Sequence, residues 1–272
     1  MSSMHLNPPF RAEHIGSILR PPALFEKRNL FEQGKVSAGE LRAAEHEAIK
    51  HVIQLQRDVG MRTITDGELR RGVFFEGVFD KLEGMTVVPN CPIEKFKMEE
   101  AGVDHEALLD TYIHAINVCT QNRPSDLTVG VHMCRGNFKN GVHFSEGGYG
   151  RIAIKLFNKL DVDTFYLEYD TERAGDFTPL KYLPNNKVAV LGLVTTKNPK
   201  LETVEELKAR INEAVDAMTK DNPERTRQAA LNQLCISTQC GFASVWEGNP
   251  LTEEDEHKKL AVLVEAAKQI WG

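Results

Sequence analysis

The chain has 272 residues, 41% of them apolar and 26% charged, with a formal net charge of −6. That length accommodates one α/β barrel or two small domains around a substantial core, and the acidic balance excludes a broad basic surface for nucleic acid or anionic lipid, leaving small molecules as the default partners. The opening MSSMHLNPPFRAEH lacks the basic-then-apolar order of a secretion signal, and no stretch approaches the ~20 apolar residues that would span a bilayer, so a soluble cytoplasmic protein is expected.

Taken in order, the chain alternates helices and strands. A first strand is expected at residues 10–16. Over residues 37–60 the apolar positions Leu41, Ala44, Ala48, Val52, Leu55 and Val59 recur at three- and four-residue steps behind a capping box of Ser37 and Glu40, which predicts a helix stopped by Gly60. A short buried strand, residues 61–66, then runs into Asp66-Gly67-Glu68. A second helix starts near Asp104 and carries Leu108, Leu109, Tyr112, Ile113 and Ile116, followed by a strand at 127–132. Next come a helix at 149–159, strands at 164–168 and 188–194, a helix at 203–218 capped by Thr203 and Glu206, a strand at 234–237 and a last helix at 253–270.

Continuous apolar strands separated by helices predict a parallel sheet covered by helices, an α/β fold. Polar residues at the strand ends (Glu68, His132, Glu168, Cys240) suit the active-site face of a (β/α)8 TIM-barrel-like domain. Only about six strands can be placed where a closed barrel has eight, so the barrel is expected to be incomplete. The shortfall falls between residues 83 and 103. No linker, repeat or low-complexity run marks a second domain, and residues 1–272 are expected to form one.

His132 and Cys134 flank Met133 at a strand end, so both side chains can point to one face. They form either a two-ligand hook for a metal or, since a cysteine in a strand is more often a small core residue, part of the interior. Glu168 ends an apolar run, where a carboxylate must be paired, metal-bound or at a solvated strand mouth. Cys240 precedes Gly241 just beyond a strand, while Cys235, inside that strand, reads as core. Five cysteines without a secreted context argue for reduced thiols, some of them free for metal. Mixed nitrogen, sulfur and oxygen ligands suit Zn2+ and not calcium or magnesium.

These residues resemble, over nearly the whole chain, the catalytic domain of cobalamin-independent methionine synthases and closer still its single-domain relatives. The resemblance rests on His132-Met133-Cys134, Glu168, Cys240-Gly241, His14-Ile15-Gly16-Ser17, Asp66-Gly67-Glu68, Arg135-Gly136-Asn137 and Gln239-Cys240-Gly241-Phe242. It implies zinc-assisted transfer of a methyl group from a donor to a small-molecule thiol such as homocysteine, with His132, Cys134, Glu168 and Cys240 as ligands. Gly16 and Ser17 would then hold an amino-acid carboxylate, and Glu68 its ammonium; without the resemblance these read equally as a turn and a surface ion pair.

Two departures stand out. The family's barrel has two further βα units before the His-Met-Cys strand, whereas here Asn90 runs directly into Cys91; their loss leaves sheet edges that must pair, splay or be covered, with a second copy of the chain as one such cover. And where the family writes a catalytic histidine, Gly192–Pro199 offers Lys197, a candidate catalytic cation that reads equally as a loop lysine. Arg173 and Asp176 are open between substrate contacts and an ion pair. Two other readings stand beside the methyltransferase. One is a truncated barrel keeping zinc without turnover. The other is a decarboxylase of the porphyrinogen-binding kind, which would use carboxylates and arginines such as Arg11, Arg20 and Asp66.

Overall fold

The computed structural model describes residues 7–76, 102, 104–138, 142, 143 and 145–272. Within them five strands form one parallel sheet in the order β1-β5-β4-β3-β2, namely β1 (Ala12–Glu13), β2 (Gly130–Met133), β3 (Thr164–Glu168), β4 (Val188–Val194) and β5 (Leu234–Thr238). Every residue of β5 is buried and so is nearly all of β4, as a strand covered on both faces requires, while β2 at one edge is half-buried to exposed. The expected α/β, barrel-like architecture is present, and among the described residues the barrel is incomplete.

The helices are α1 (Pro22–Glu32), α2 (Ala38–Asp58), α3 (His105–Thr120), α4 (Ala153–Lys159), α5 (Val204–Thr219), α6 (Arg227–Asn232) and α7 (Glu253–Trp271). Both expected capping boxes form, Ser37 with Glu40 on α2 and Thr203 with Glu206 on α5, and α7 has a third from Thr252 and Asp255. Each satisfies backbone N–H groups that the first turn would otherwise leave unpaired. The apolar stripe of α2 buries Ala48, Val52 and Leu55, and that of α5 buries Leu207, Ile211, Ala214, Val215 and Met218. On β3, Phe165 meets Phe157 of α4 edge to face, their centroids 4.9 Å apart.

Several expectations need correction. Residues 61–66 are not a strand, which is why five strands stand where six were expected. Gln56, wholly buried on α2, supplies the pairing a neighbouring strand would have given: its Oε1 accepts from Thr65 N–H at 2.9 Å and its Nε2 donates to Thr65 C=O at 2.9 Å. The first strand has two residues instead of seven, and β2 begins at Gly130, with Leu127 52% exposed. The helix expected from 149 begins at Ala153, since Tyr149 is turned inward as a hydrogen-bonding residue. Helices α1, entered through Pro21-Pro22, and α6, one and a half turns long, had no apolar periodicity to announce them. The 83–103 stretch and the Asn90-Cys91 junction lie outside the described residues, save Gly102.

Candidate metal centre

His132 is the third residue of β2, and Cys134 follows the strand's last residue; Cys240 lies two residues beyond the end of β5. One ligand atom from each, an imidazole nitrogen and two sulfurs, all lie within 4.8 Å of one another. This proximity is not local. In the sheet β2 and β5 are separated by β3 and β4, and in a flat sheet that is about 14 Å. The sheet must therefore curl toward a barrel at its C-terminal end, as parallel strands with the usual twist do on closing.

The three side chains fit a divalent metal. Both ring nitrogens of His132 are buried without a hydrogen-bond partner, which is rare for a native imidazole and leaves one of them open to a metal. Cys134, exposed at the mouth, is held down to about 4, first by the hydrogen bond from the Cys240 thiol, against the cost of its own desolvation, and further by His132. Cys240, 6% exposed, is pushed well up by the same partner and by burial. One thiolate thus forms readily and the second only with a cation beside it, which is how a two-cysteine site binds a soft divalent ion with release of protons.

A buried amide network holds the Cys240 loop. Asn137 Nδ2 donates to Gly241 C=O at 2.8 Å and to Ser244 Oγ at 2.9 Å, and Thr196 Oγ1 donates to the same carbonyl at 3.0 Å. Gln239 accepts from Thr196 N–H, and Asn249 donates to Asn137 Oδ1 at 3.1 Å. A Cβ at Gly241 would fall on the Ser17 hydroxyl, so only glycine allows this close approach. Ser17 Oγ accepts from Ala243 N–H and Ser17 C=O from Phe242 N–H, so Ser17 is a tie to the cysteine loop. Gly16 and Glu68 are likewise adjacent, since a Cβ on Gly16 would lie 2.6 Å from Glu68 Oε1. Burial raises the Glu68 carboxyl, Arg71 opposing it from 3.4 Å.

Glu168, the fourth residue expected at the metal, lies outside the group of three. Its side chain has no exposed surface, and both oxygens are engaged: Oε2 accepts from Arg135 N–H at 2.8 Å, and Oε1 meets Arg173 Nη2 at 2.7 Å and Lys197 Nζ at 3.2 Å. Burial raises this carboxyl, but Lys197, the Arg135 N–H and Arg173 together bring it below its ordinary value. Lys197 is also paired with Asp170, whose side chain is fully buried. Arg173 is therefore the ion-pair partner left open by sequence, while Asp176 accepts from Thr178 N–H. The sequence reading missed Asp170, Thr196, Ser244 and Asn249. Of these only Asp170 carried a signal, standing two residues after Glu168 just beyond the end of β3. Arg11 and Arg20 donate instead to backbone carbonyls, of Leu234 and Val245 among others, and so are spent on the fold.

The profile described as "Cobalamin-independent synthase, Catalytic domain" matches residues 96–269. Uncharacterized protein YxjG of Bacillus subtilis is 29% identical over 372 aligned positions, covering 97% of this chain and 95% of the relative. That alignment is longer than the 272 residues here, so the relative carries segments this chain lacks. A crystal structure from Listeria monocytogenes, provisionally described as a vitamin-B12 independent methionine synthase, is 28% identical and superposes with a TM-score of 0.72 over 97% of this chain and 98% of that one. The 5-methyltetrahydropteroyltriglutamate–homocysteine methyltransferase of Thermotoga maritima is 31% identical over 83 residues, 30% of this chain and 11% of that protein.

Proposed function

The chain belongs to the family of cobalamin-independent synthase catalytic domains, and from that premise we propose that it is a zinc-dependent methyltransferase that moves a methyl group onto a small thiol such as homocysteine. The observation that carries this reading is the convergence of His132, Cys134 and Cys240 from β2 and β5 across two intervening strands, with the imidazole nitrogens buried and without a hydrogen-bond partner. These three would hold the ion. When bound, zinc supplies Lewis acidity that keeps a coordinated thiol deprotonated and nucleophilic at neutral pH.

In the overall reaction the thiol gives up its proton, its sulfur bonds to the methyl carbon, and the donor departs with the electrons of the broken bond and takes a proton. This chain's residues orient the partners. We read Gly16 and Ser17, beside the cysteine loop, as the residues that receive an amino-acid carboxylate, and Glu68, adjacent to Gly16, as the partner of its ammonium; the support for this is their adjacency to one another and to that loop. Lys197, held by Asp170 and Glu168, supplies a fixed positive charge where the family writes a histidine; its two carboxylate partners favour an electrostatic role over that of a mobile proton carrier. We read residues 1–272 as one barrel-like domain at work in the cytoplasm; among the described residues no helix is long and apolar enough to cross a membrane.

The test is metal analysis of protein made with zinc available, joined to an assay of methyl transfer to homocysteine from a methylated folate and from other methyl donors. About one zinc per chain, lost together with activity in Cys240→Ser, is expected. Far less than one metal per chain, with Cys240→Ser changing nothing, would end the proposal.

A further inference from the structure

We propose that the cavity beside the Cys240 loop is the seat of the methyl donor, and that the donor it takes is a small organic cation whose methyl group sits on a positively charged sulfur or nitrogen. The inference deepens the methyltransferase reading above and rests on it.

The cavity holds about 580 Å³, a volume suited to a small molecule. Val73, Phe138, Val245 and Trp246 give it an apolar lining, and the charged groups among its described lining residues are Glu76 and Glu247. Its walls begin one residue from the buried amide network. Phe138 follows Asn137 and Val245 follows Ser244, and those two are joined by the 2.9 Å hydrogen bond that helps hold the Cys240 loop. Backbone bonds fix the walls: Phe74 N–H donates to Ser244 C=O at 3.0 Å, Val73 and Val245 form an antiparallel bridge, and Phe138 N–H donates to Val142 C=O at 3.1 Å.

Charge selects the occupant. Glu76 accepts the Gly72 N–H with Oε2, and neither Glu76 nor Glu247 lies within ion-pair reach of a described arginine or lysine. Arg20 feels both carboxylates, but its guanidinium is buried and donates to the carbonyls of Ala243, Val245 and Arg71, so it serves the fold and not a ligand. Trp246 is fixed by the guanidinium groups of Arg28 and Arg20, 4.3 and 5.0 Å from its ring centre. An anion would enter against two carboxylates, and a neutral ligand would gain nothing from them. A cation gains from both, and its polarised methyl groups can pack on the Phe138 ring. Such a donor also suits thiol alkylation. The thiol sulfur's electron pair forms the new bond to the methyl carbon, the bond from that carbon to the charged sulfur or nitrogen breaks toward the donor, and a neutral thioether or amine leaves. The proton given up by the thiol is the one a protonated amine donor has taken, or passes to solvent where the donor's charge is permanent.

The test is binding followed by tryptophan fluorescence, since Trp246 lines the cavity and Trp271 is the chain's only other tryptophan. The probes are trimethylsulfonium, choline, and the analogue of choline with an uncharged carbon in place of its nitrogen. Both cations are expected to change the emission saturably, the uncharged analogue to bind about tenfold more weakly, and Trp246→Phe to remove the signal. Glu76→Gln combined with Glu247→Gln should lower the affinity for the cations by about tenfold and leave the analogue unaffected, as loss of two partly screened charges would. Should that pair fail to fold, Glu247→Gln alone is read in the same way. Equal binding of choline and its uncharged analogue, or no saturable change with either cation, would overturn the inference. Methyl transfer to homocysteine from a methylated folate, with no binding of the cations, would overturn it and leave the methyltransferase reading standing. Bound cations with no methyl transfer from any donor would overturn that reading and, with it, the donor role of this cavity.

Discussion

The two carboxylate oxygens of Asp170 lie 2.9 and 2.7 Å from the Lys197 ammonium, in a pair whose side chains are 0% and 12% exposed. Removing one member of so buried a pair strands the other charge, at a cost of about 3–5 kcal/mol. Asp170→Ala and Lys197→Met are each expected to lose that much in urea unfolding. The double replacement should lose much less than the sum, and a full sum would show that the two do not interact.

At Gly241 there is no room for a side chain, because a Cβ would meet the Ser17 hydroxyl and stand 2.8 Å from Ile15 C=O. Gly241→Ala is expected to cost about 1–3 kcal/mol through overpacking and to weaken metal binding by shifting the neighbouring Cys240. Adding Ser17→Gly should restore part of the stability, which thermal unfolding of the double variant would reveal.

Glu256 on α7 has no exposed surface; burial raises its carboxyl to about 8, opposed by the N–H of Leu19 and reinforced by Glu253. The unfolded chain releases this proton near pH 4.5, so the group's contribution is fully present below that pH and is lost as pH rises through about 8. Glu256→Gln, which cannot ionise, is expected to be more stable than wild type by a few kcal/mol at pH 8 and equal to it at pH 4. Parallel stability curves across that window would refute the assignment.

A metal held by His132, Cys134 and Cys240 would bridge β2 to β5 across two intervening strands. Chelation is therefore expected to lower the unfolding midpoint and to expose β2 amides to hydrogen exchange before those of β4. With zinc at 100 times its Kd the stabilisation is about 2.7 kcal/mol. Equal midpoints with and without chelator would contradict this.

Much was legible without coordinates because its causes are local. Ser37 with Glu40 and Thr203 with Glu206 announce helix starts through groups three residues apart, the apolar stripes of α2 and α5 follow from the turn of a helix, and the placing of His132 and Cys134 on one face follows from the two-residue period of a strand. Other features depend on residues far apart in the chain. Residues 61–66 have the composition of a strand, yet Gln56 takes the bonds of Thr65 from a helix. Glu168 stands at a strand end as expected, yet its direction was set by Arg173, Lys197 and, through Lys197, the unsuspected Asp170. The sequence by itself determined the donor atoms and the parallel order of helix and strand that carries them. The tertiary structure alone decided that the sheet curls far enough for β2 and β5 to bring three of those donors within 4.8 Å, because curvature and charge pairing are sums over the whole fold and no short window of residues contains them.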